Sequence, residues 1–224
     1  MLKTISSEEF NVLNTILPDY TERICSSEGS FLGKIFAMFK IKINKAKSVK
    51  LMLMENLASR LGDPIVFDMK GSSTDRKTLL SSFKDIDEMP RGVVYKDTDF
   101  LDNIQSFSVY SEELLTIREK LAKDTKMLEK NYIMDYSLLV LVEKVKSLKE
   151  TLIEKAFVAT HENYVVFIGL IDFLQIYNLK KKLESKYKSF RSSSNIAASA
   201  ISPVPYRERF MLMVERIFRK ETIN

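Results

Sequence analysis

The longest uninterrupted apolar run in this chain is YVVFIGLI at 164–171, and it stops at an aspartate, Asp172. Eight residues fall far short of the ~20 that a membrane-spanning helix needs. They suit a strand buried on both faces, which must have neighbours to satisfy its backbone. Residues 133–143 form a second such run, with Asp135 near its start. An aspartate at the end of an apolar strand cannot stay charged and buried without a partner. It either caps a turn or faces a cleft and holds a cation. Two of them on neighbouring strands strengthen the cleft reading, because paired oxygen ligands suit a hard divalent ion and the phosphates it carries.

The rest of the pattern predicts strands and helices in groups. Ser6 with Glu9 three positions later forms a capping box, and Phe10, Leu13, Ile16 and Leu17 follow at helical spacing until Pro18 interrupts or restarts the helix. Residues 34–43 and 49–54 are β-branched and aromatic around a polar break, as in an antiparallel pair. A short strand is expected over 64–70, a loop over 72–89 and a mixed segment over 93–100. A helix is expected over 111–131, with Leu114, Leu115, Leu121 and Leu128. The charged stretch 144–155 reads as a short helical insertion, 192–200 as a small polar loop, and 206–221 as an amphipathic helix. Mostly antiparallel strands with grouped helices favour an α+β fold over a doubly wound one.

Charge and rare residues narrow the chemistry. The net charge is +5, and residues 173–191 alone carry five Lys, one Arg and one Glu, as large an excess as the whole chain. Such a segment is a solvated face or a surface for anionic partners. Cys25 and His161 are each the only residue of their kind. They exclude an intramolecular disulfide and a zinc site of the usual N/S type, and Cys25 is expected to be a small buried or half-buried hydrophobe. No nucleophile-elbow pattern supports a His-based triad, no nucleic-acid motif accompanies the basic charge, and the start MLKTISSEEF has no signal-peptide core. Any membrane contact would come from the surface.

Several segments, in order, carry a resemblance. MDYSLL at 134–139, FDMKGSSTDR at 67–76, VVYKDTDFL at 93–101, GLIDFLQIYNLKKKLE at 169–184 and ISPVPYRERF at 201–210 resemble the signatures of the phosphatidylinositol phosphate kinases. MLKTISSEEF at 1–10 is similar to that family's lysine strand. The resemblance implies a two-lobed, kinase-like α+β fold, with 1–57 as the remnant of the nucleotide lobe and 58–224 as the catalytic lobe, including an activation segment at about 173–205. It implies ATP and Mg²⁺ as cofactors. Lys3 falls on the lysine that binds ATP phosphates, Asp135 on the catalytic aspartate and Asp172 on the magnesium ligand. Glu55, Asn56 and Leu57 fall at the adenine hinge. Lys70 and Arg76 border the substrate's phosphates, and Lys180, Lys181, Lys182 and Arg191 face acidic membrane. Protein-kinase HRD, DFG and APE signatures are absent.

The implied activity is ATP-dependent phosphorylation of a phosphatidylinositol phosphate, with a 4-phosphate 5-kinase favoured. The implied setting is cytoplasmic, peripheral on the cytosolic face of membranes. The implied partners are a phosphoinositide, an acidic membrane surface and a second copy in a homodimer, but no nucleic acid. Two small departures are Leu141 and Ala37, where the family often has glycine. A larger one is that Lys3 is the third residue and no Gly-rich loop occurs. That predicts weak turnover for the chain as it stands, or a non-catalytic module that docks on membrane or a partner.

Overall fold

The computed structural model describes residues 1–44, 47–72, 76–78, 83, 85–144, 156–159, 164–177 and 202–221. Strand β1 (Leu2–Ile5) pairs antiparallel with β3 (Val49–Met54), which pairs antiparallel with β2 (Ile35–Ile41), in the order β1-β3-β2. Their alternation sends Ile5, Met52 and Met54 into the core and leaves Leu2 and Leu53 exposed. Helix α1 (Ser7–Ile24) starts with the capping box that Ser6 and Glu9 predict. Pro18 does not end it. Proline removes only the bond to the Asn14 carbonyl, and both residues lie on the exposed face, where water replaces that donor. Leu17 is on the same face, so only Val12, Leu13, Ile16 and Tyr20 form the buried apolar stripe.

The second sheet has the order β5-β4-β8-β10-β9: β5 (Val94–Tyr95), β4 (Ile65–Met69), β8 (Ser137–Lys144), β10 (Tyr164–Ile171) and β9 (Ala156–Ala159). Only β4 and β5 pair in parallel. Strand β10 is buried along almost its whole length. Phe167, Ile168 and Leu170 have no exposed surface, and each contributes at most about 1.5–3 kcal/mol of hydrophobic stabilisation. At Gly169 a Cβ would come within 2.4 Å of Leu57 Cδ1, so any larger residue would force the buried Leu57 side chain to shift.

Helix α2 (Asp97–Asn103) follows β5, where the sequence suggests only a mixed segment. Helix α3 (Ser111–Lys130) matches its expected span, with Leu115 exposed. The last helix, α4 (Pro203–Ile217), is shorter than its apolar period implies. Phe218 leaves helical geometry and opens β12 (Phe218–Lys220), parallel to β6 (Phe107–Val109). Fully buried and 6.1 Å from the Phe107 ring, Phe218 fills the core from a strand instead. Cys25 also departs from expectation. It caps the exposed end of α1 and is itself exposed.

The fold is α+β. Among the described residues no helix is long and apolar enough to cross a membrane. Of the insertion expected at 144–155, Lys144 is instead the last residue of β8; the rest of it, His161, and the segment from 178 to 201 lie outside the described residues.

Candidate active site

The run expected as one strand over 133–143 is broken. Strand β7 (Ile133–Met134) leaves the sheet and pairs with β11 (Gln175–Ile176), while β8 starts again at Ser137. The partner chain breaks at the same level, because Ser137 faces Ile171 on one side of the gap and Met134 faces Gln175 on the other. Asp135 and Asp172 sit in the two halves of this gap, at φ 62° and 55°. Aspartate is one of the few residues that tolerate this left-handed region. The change of pairing turns both side chains out of the ladder.

Both carboxylates line a cavity of about 170 Å³, with Lys3 from β1, Glu9 from α1 and Lys70 from the end of β4. Lys3 Nζ is 2.8 Å from Asp172 Oδ1. Among the described residues no hydrogen bond or ion pair reaches the Asp135 carboxylate. Met52, Met54 and Ile35 form an apolar wall. The metal-ligating groups in the lining are carboxylates. Their chemistry fits Mg²⁺, which takes one or two carboxylates and completes its shell with water and phosphate oxygens. Asp172 would hold it.

Two anchors fix the aspartate gap. The Tyr206 hydroxyl of α4 donates to the Tyr136 carbonyl, and the two rings meet edge to face at 4.8 Å. Burial pushes the Tyr206 phenol well above its ordinary range, so it remains a donor. On the other side Phe173 stacks at 5.8 Å on Tyr20. The Tyr20 hydroxyl donates to the Gly33 carbonyl and accepts from Ile35 N–H, and burial pushes its pKa up to about 12.

Arg76 is not in the cavity. Its Nε lies 2.6 Å from Asp97 Oδ2, and its Nη2 donates to the Asp68 carbonyl. These contacts engage the guanidinium within the protein, so it braces the turn after β4. Burial opposes charge on the Asp68 carboxyl, but the Ser137 hydroxyl, Lys96 and Arg76 around it outweigh that and hold its pKa below the usual range.

Of the segment expected at the hinge, Met54 lines this cavity, and Glu55, Asn56 and Leu57 lie outside its lining. Glu55 N–H donates to the Lys34 carbonyl, Asn56 turns its carbonyl to Ser59, and Leu57 is buried against Leu141 and Phe167. Lys180, Lys181, Lys182 and Arg191 lie outside the described residues.

Sequence reasoning missed Asp97 and gave Glu9 only a capping role. Asp97 is buried, and it accepts from the N–H groups of Lys70 (3.1 Å), Gly71 (2.7 Å) and Ser72 (3.2 Å) besides Arg76. It therefore shapes the turn that presents Lys70. The signal was the pair of acids in KDTDF at the first turn of a helix. Asp97→Asn keeps the volume but loses the charge that these donors share. We expect it to lower stability by about 2 kcal/mol and to deprotect the Lys70–Ser72 amides in hydrogen exchange. Unchanged protection would refute this role.

Residues 1–161 and 151–217 match the family described as phosphatidylinositol-4-phosphate 5-kinase. The chain is 27% identical to a Drosophila melanogaster protein named as a 1-phosphatidylinositol 3-phosphate 5-kinase, over 97% of this chain and 11% of that protein. It is 27% identical to phosphatidylinositol 5-phosphate 4-kinase type-2 gamma of Danio rerio, over 97% of this chain and 65% of that protein. It is 24% identical to phosphatidylinositol 4-phosphate 5-kinase 1 of Arabidopsis thaliana, over 99% and 38%. It thus spans less than two thirds of each of these relatives. With a match that takes in almost all of its residues, the chain belongs to the phosphatidylinositol phosphate kinase family.

Proposed function

We propose that this chain carries the machinery for moving the γ-phosphoryl group of ATP onto an inositol hydroxyl of a phosphatidylinositol phosphate, at the cytosolic face of a membrane. Residues 1–57 would face the nucleotide, and residues 58–224 would hold the catalytic residues and the membrane-facing segment. The observation that carries this reading is the paired strand break, which brings Asp135 and Asp172 into one cavity with Lys3 and Lys70. Phosphoryl transfer asks a protein mainly for positioning and charge neutralisation. Lys3 pairs with phosphate oxygens, and Asp172 holds the metal. When bound, Mg²⁺ supplies further neutralisation of the phosphate charge. Asp135, which has no internal partner among the described residues, orients the attacking hydroxyl and accepts its proton. Lys70 attracts the substrate's own phosphate.

We favour phosphatidylinositol 4-phosphate and its 5-hydroxyl. The supporting letters are KDTDFL at 96–101 and KKKLE at 180–184. The named relatives act on 3-, 4- and 5-phosphate lipids, so the choice needs a direct test. The full natural polypeptide is incubated with labelled ATP, Mg²⁺ and vesicles carrying each phosphatidylinositol monophosphate in turn. Label is expected in a bisphosphate, most rapidly from the 4-phosphate. No labelled lipid from any of the three would overturn the reading.

Docking would use the six cations between Lys180 and Arg191. Each is worth about 1 kcal/mol near anionic lipid. Changing Lys180, Lys181 and Lys182 to Glu is expected to weaken sedimentation with acidic vesicles at least about tenfold at physiological salt. Equal binding of the variant would remove these lysines from the membrane face.

A further inference from the structure

The turn after β4 has two sides. On one, Lys70 reaches the candidate active site. On the other, Gly71 and Ser72 form one wall of a separate cavity of about 230 Å³, closed by α4. Gly71 lets these elements touch. Its φ is +72°, and a Cβ there would come within 3.0 Å of the Arg209 carbonyl.

Among the described residues, this second cavity has a charge that its surroundings do not answer. Arg209 and Arg216 line it from α4, seven residues apart and so two turns along one face. Among the described residues neither guanidinium has an ion-pair partner, and Arg209 Nε is buried with no acceptor. Arg209 instead lies over the Tyr206 ring, 5.1 Å from its centroid. The one carboxylate in the lining, Asp97, is already committed to Arg76 and to three backbone N–H groups. The remaining wall is apolar, formed by Met69, Leu101, Met213 and Ile217. A dry wall strengthens any charged hydrogen bond made inside it.

We propose that this cavity is a second phosphate-binding site, distinct from the one that holds the reacting groups. Guanidinium forks match phosphate oxygens in charge and geometry, and the Ser72 hydroxyl adds a donor. The volume lies below the ~300–1,000 Å³ of pockets for larger ligands, which suits a phosphate monoester with part of its alcohol. The same chemistry comes from a soluble phosphate ester or from a lipid headgroup. A ligand here would bear directly on Gly71 and Ser72, and so stiffen the turn that presents Lys70. The site is thus placed to couple anion binding to catalysis without entering the reaction.

The test uses the full polypeptide and calorimetric titration with inorganic phosphate, then with soluble inositol phosphate. It ends with phosphatidylcholine vesicles with and without phosphatidylinositol 4-phosphate. Arg216 is exposed, so Arg216→Gln tests the site without a folding defect. Arg209→Gln is the second variant, and Lys70→Ala and Asp135→Asn report on the neighbouring cavity. Each arginine change is expected to weaken phosphate binding about tenfold, with binding retained in Lys70→Ala and Asp135→Asn. Binding of the soluble ligands assigns a soluble source, and arginine-dependent binding seen only with phosphoinositide vesicles assigns a lipid. Binding lost in Lys70→Ala but unchanged in both arginine variants, or no binding in any arm, overturns the proposal. None of these results depends on whether transfer occurs, so the site can fail while the proposed activity stands.

Discussion

Replacing Asp135 by Asn is expected to slow phosphoryl transfer by about 10²–10⁴-fold while leaving the fold intact. Asparagine tolerates a positive φ as well as aspartate does, so the 62° backbone at this position is not disturbed. Among the described residues the carboxylate has no internal hydrogen bond to lose, so thermal unfolding should not shift. What disappears is the cavity carboxylate that, among the described residues, has no hydrogen bond or ion pair and can take a proton from an incoming hydroxyl. Nucleotide affinity in the presence of Mg²⁺ should remain within about twofold, since Lys3 and Asp172 are untouched. Asp172→Asn should behave differently, losing both transfer and metal-dependent nucleotide binding. The Lys3–Asp172 pair is half-exposed, so its loss alone has little effect on stability. The measurements are initial rates at saturating nucleotide and a separate binding titration. An Asp135→Asn protein that keeps more than about a tenth of the rate would leave Asp135 no general-base role.

Local signals in the sequence were read correctly where local physics decides. The Ser6–Glu9 box starts α1, and alternation and β-branching identify the β2–β3 pair. The continuous apolar run at 164–171 is a strand buried on both faces. Asp135 and Asp172 were visible as acids interrupting apolar strands, and the family resemblance gave them roles. Their convergence on one cleft was expected from two acids on neighbouring strands; how it is built was not visible, because it depends on β7 leaving one sheet to pair with β11, a contact between residues about 40 apart. The same limit hid Asp97. Its hydrogen bonds to Lys70, Gly71 and Ser72 cross about 25 residues, and no periodicity announces them. The contacts of Arg76 were hidden in the same way: a motif position suggested a substrate phosphate, and the fold brings two carboxylates to its guanidinium. At the end of α4 an apolar helical period ran on through Phe218, where a neighbouring strand offered a better-packed place.

The largest loss of stability is expected at a residue that no motif marks. Asp124, on α3, has no exposed surface. Its carboxylate accepts from Ser30 Oγ and from Phe31 N–H, both at 2.8 Å, and lies 2.7 Å from Arg23 Nε on α1. The segment it holds is the clamp on the active strand: Leu170 N–H donates to the Phe31 carbonyl, and Gly33 N–H donates to the Leu170 carbonyl. Leu170 is two residues before Asp172. Asp124→Ala would leave a buried guanidinium without its carboxylate and the buried Phe31 N–H without its acceptor, so it should lower unfolding free energy by about 3–5 kcal/mol. Replacing the pair together, Arg23→Met with Asp124→Leu, removes the stranded charge and should cost less than Asp124→Ala alone, because a buried ion pair is offset by its own desolvation. Urea denaturation of the three proteins separates the terms. If Asp124→Ala cost under about 1 kcal/mol, the pair would be a surface-like contact and could not be what fixes Asp172 against the first sheet.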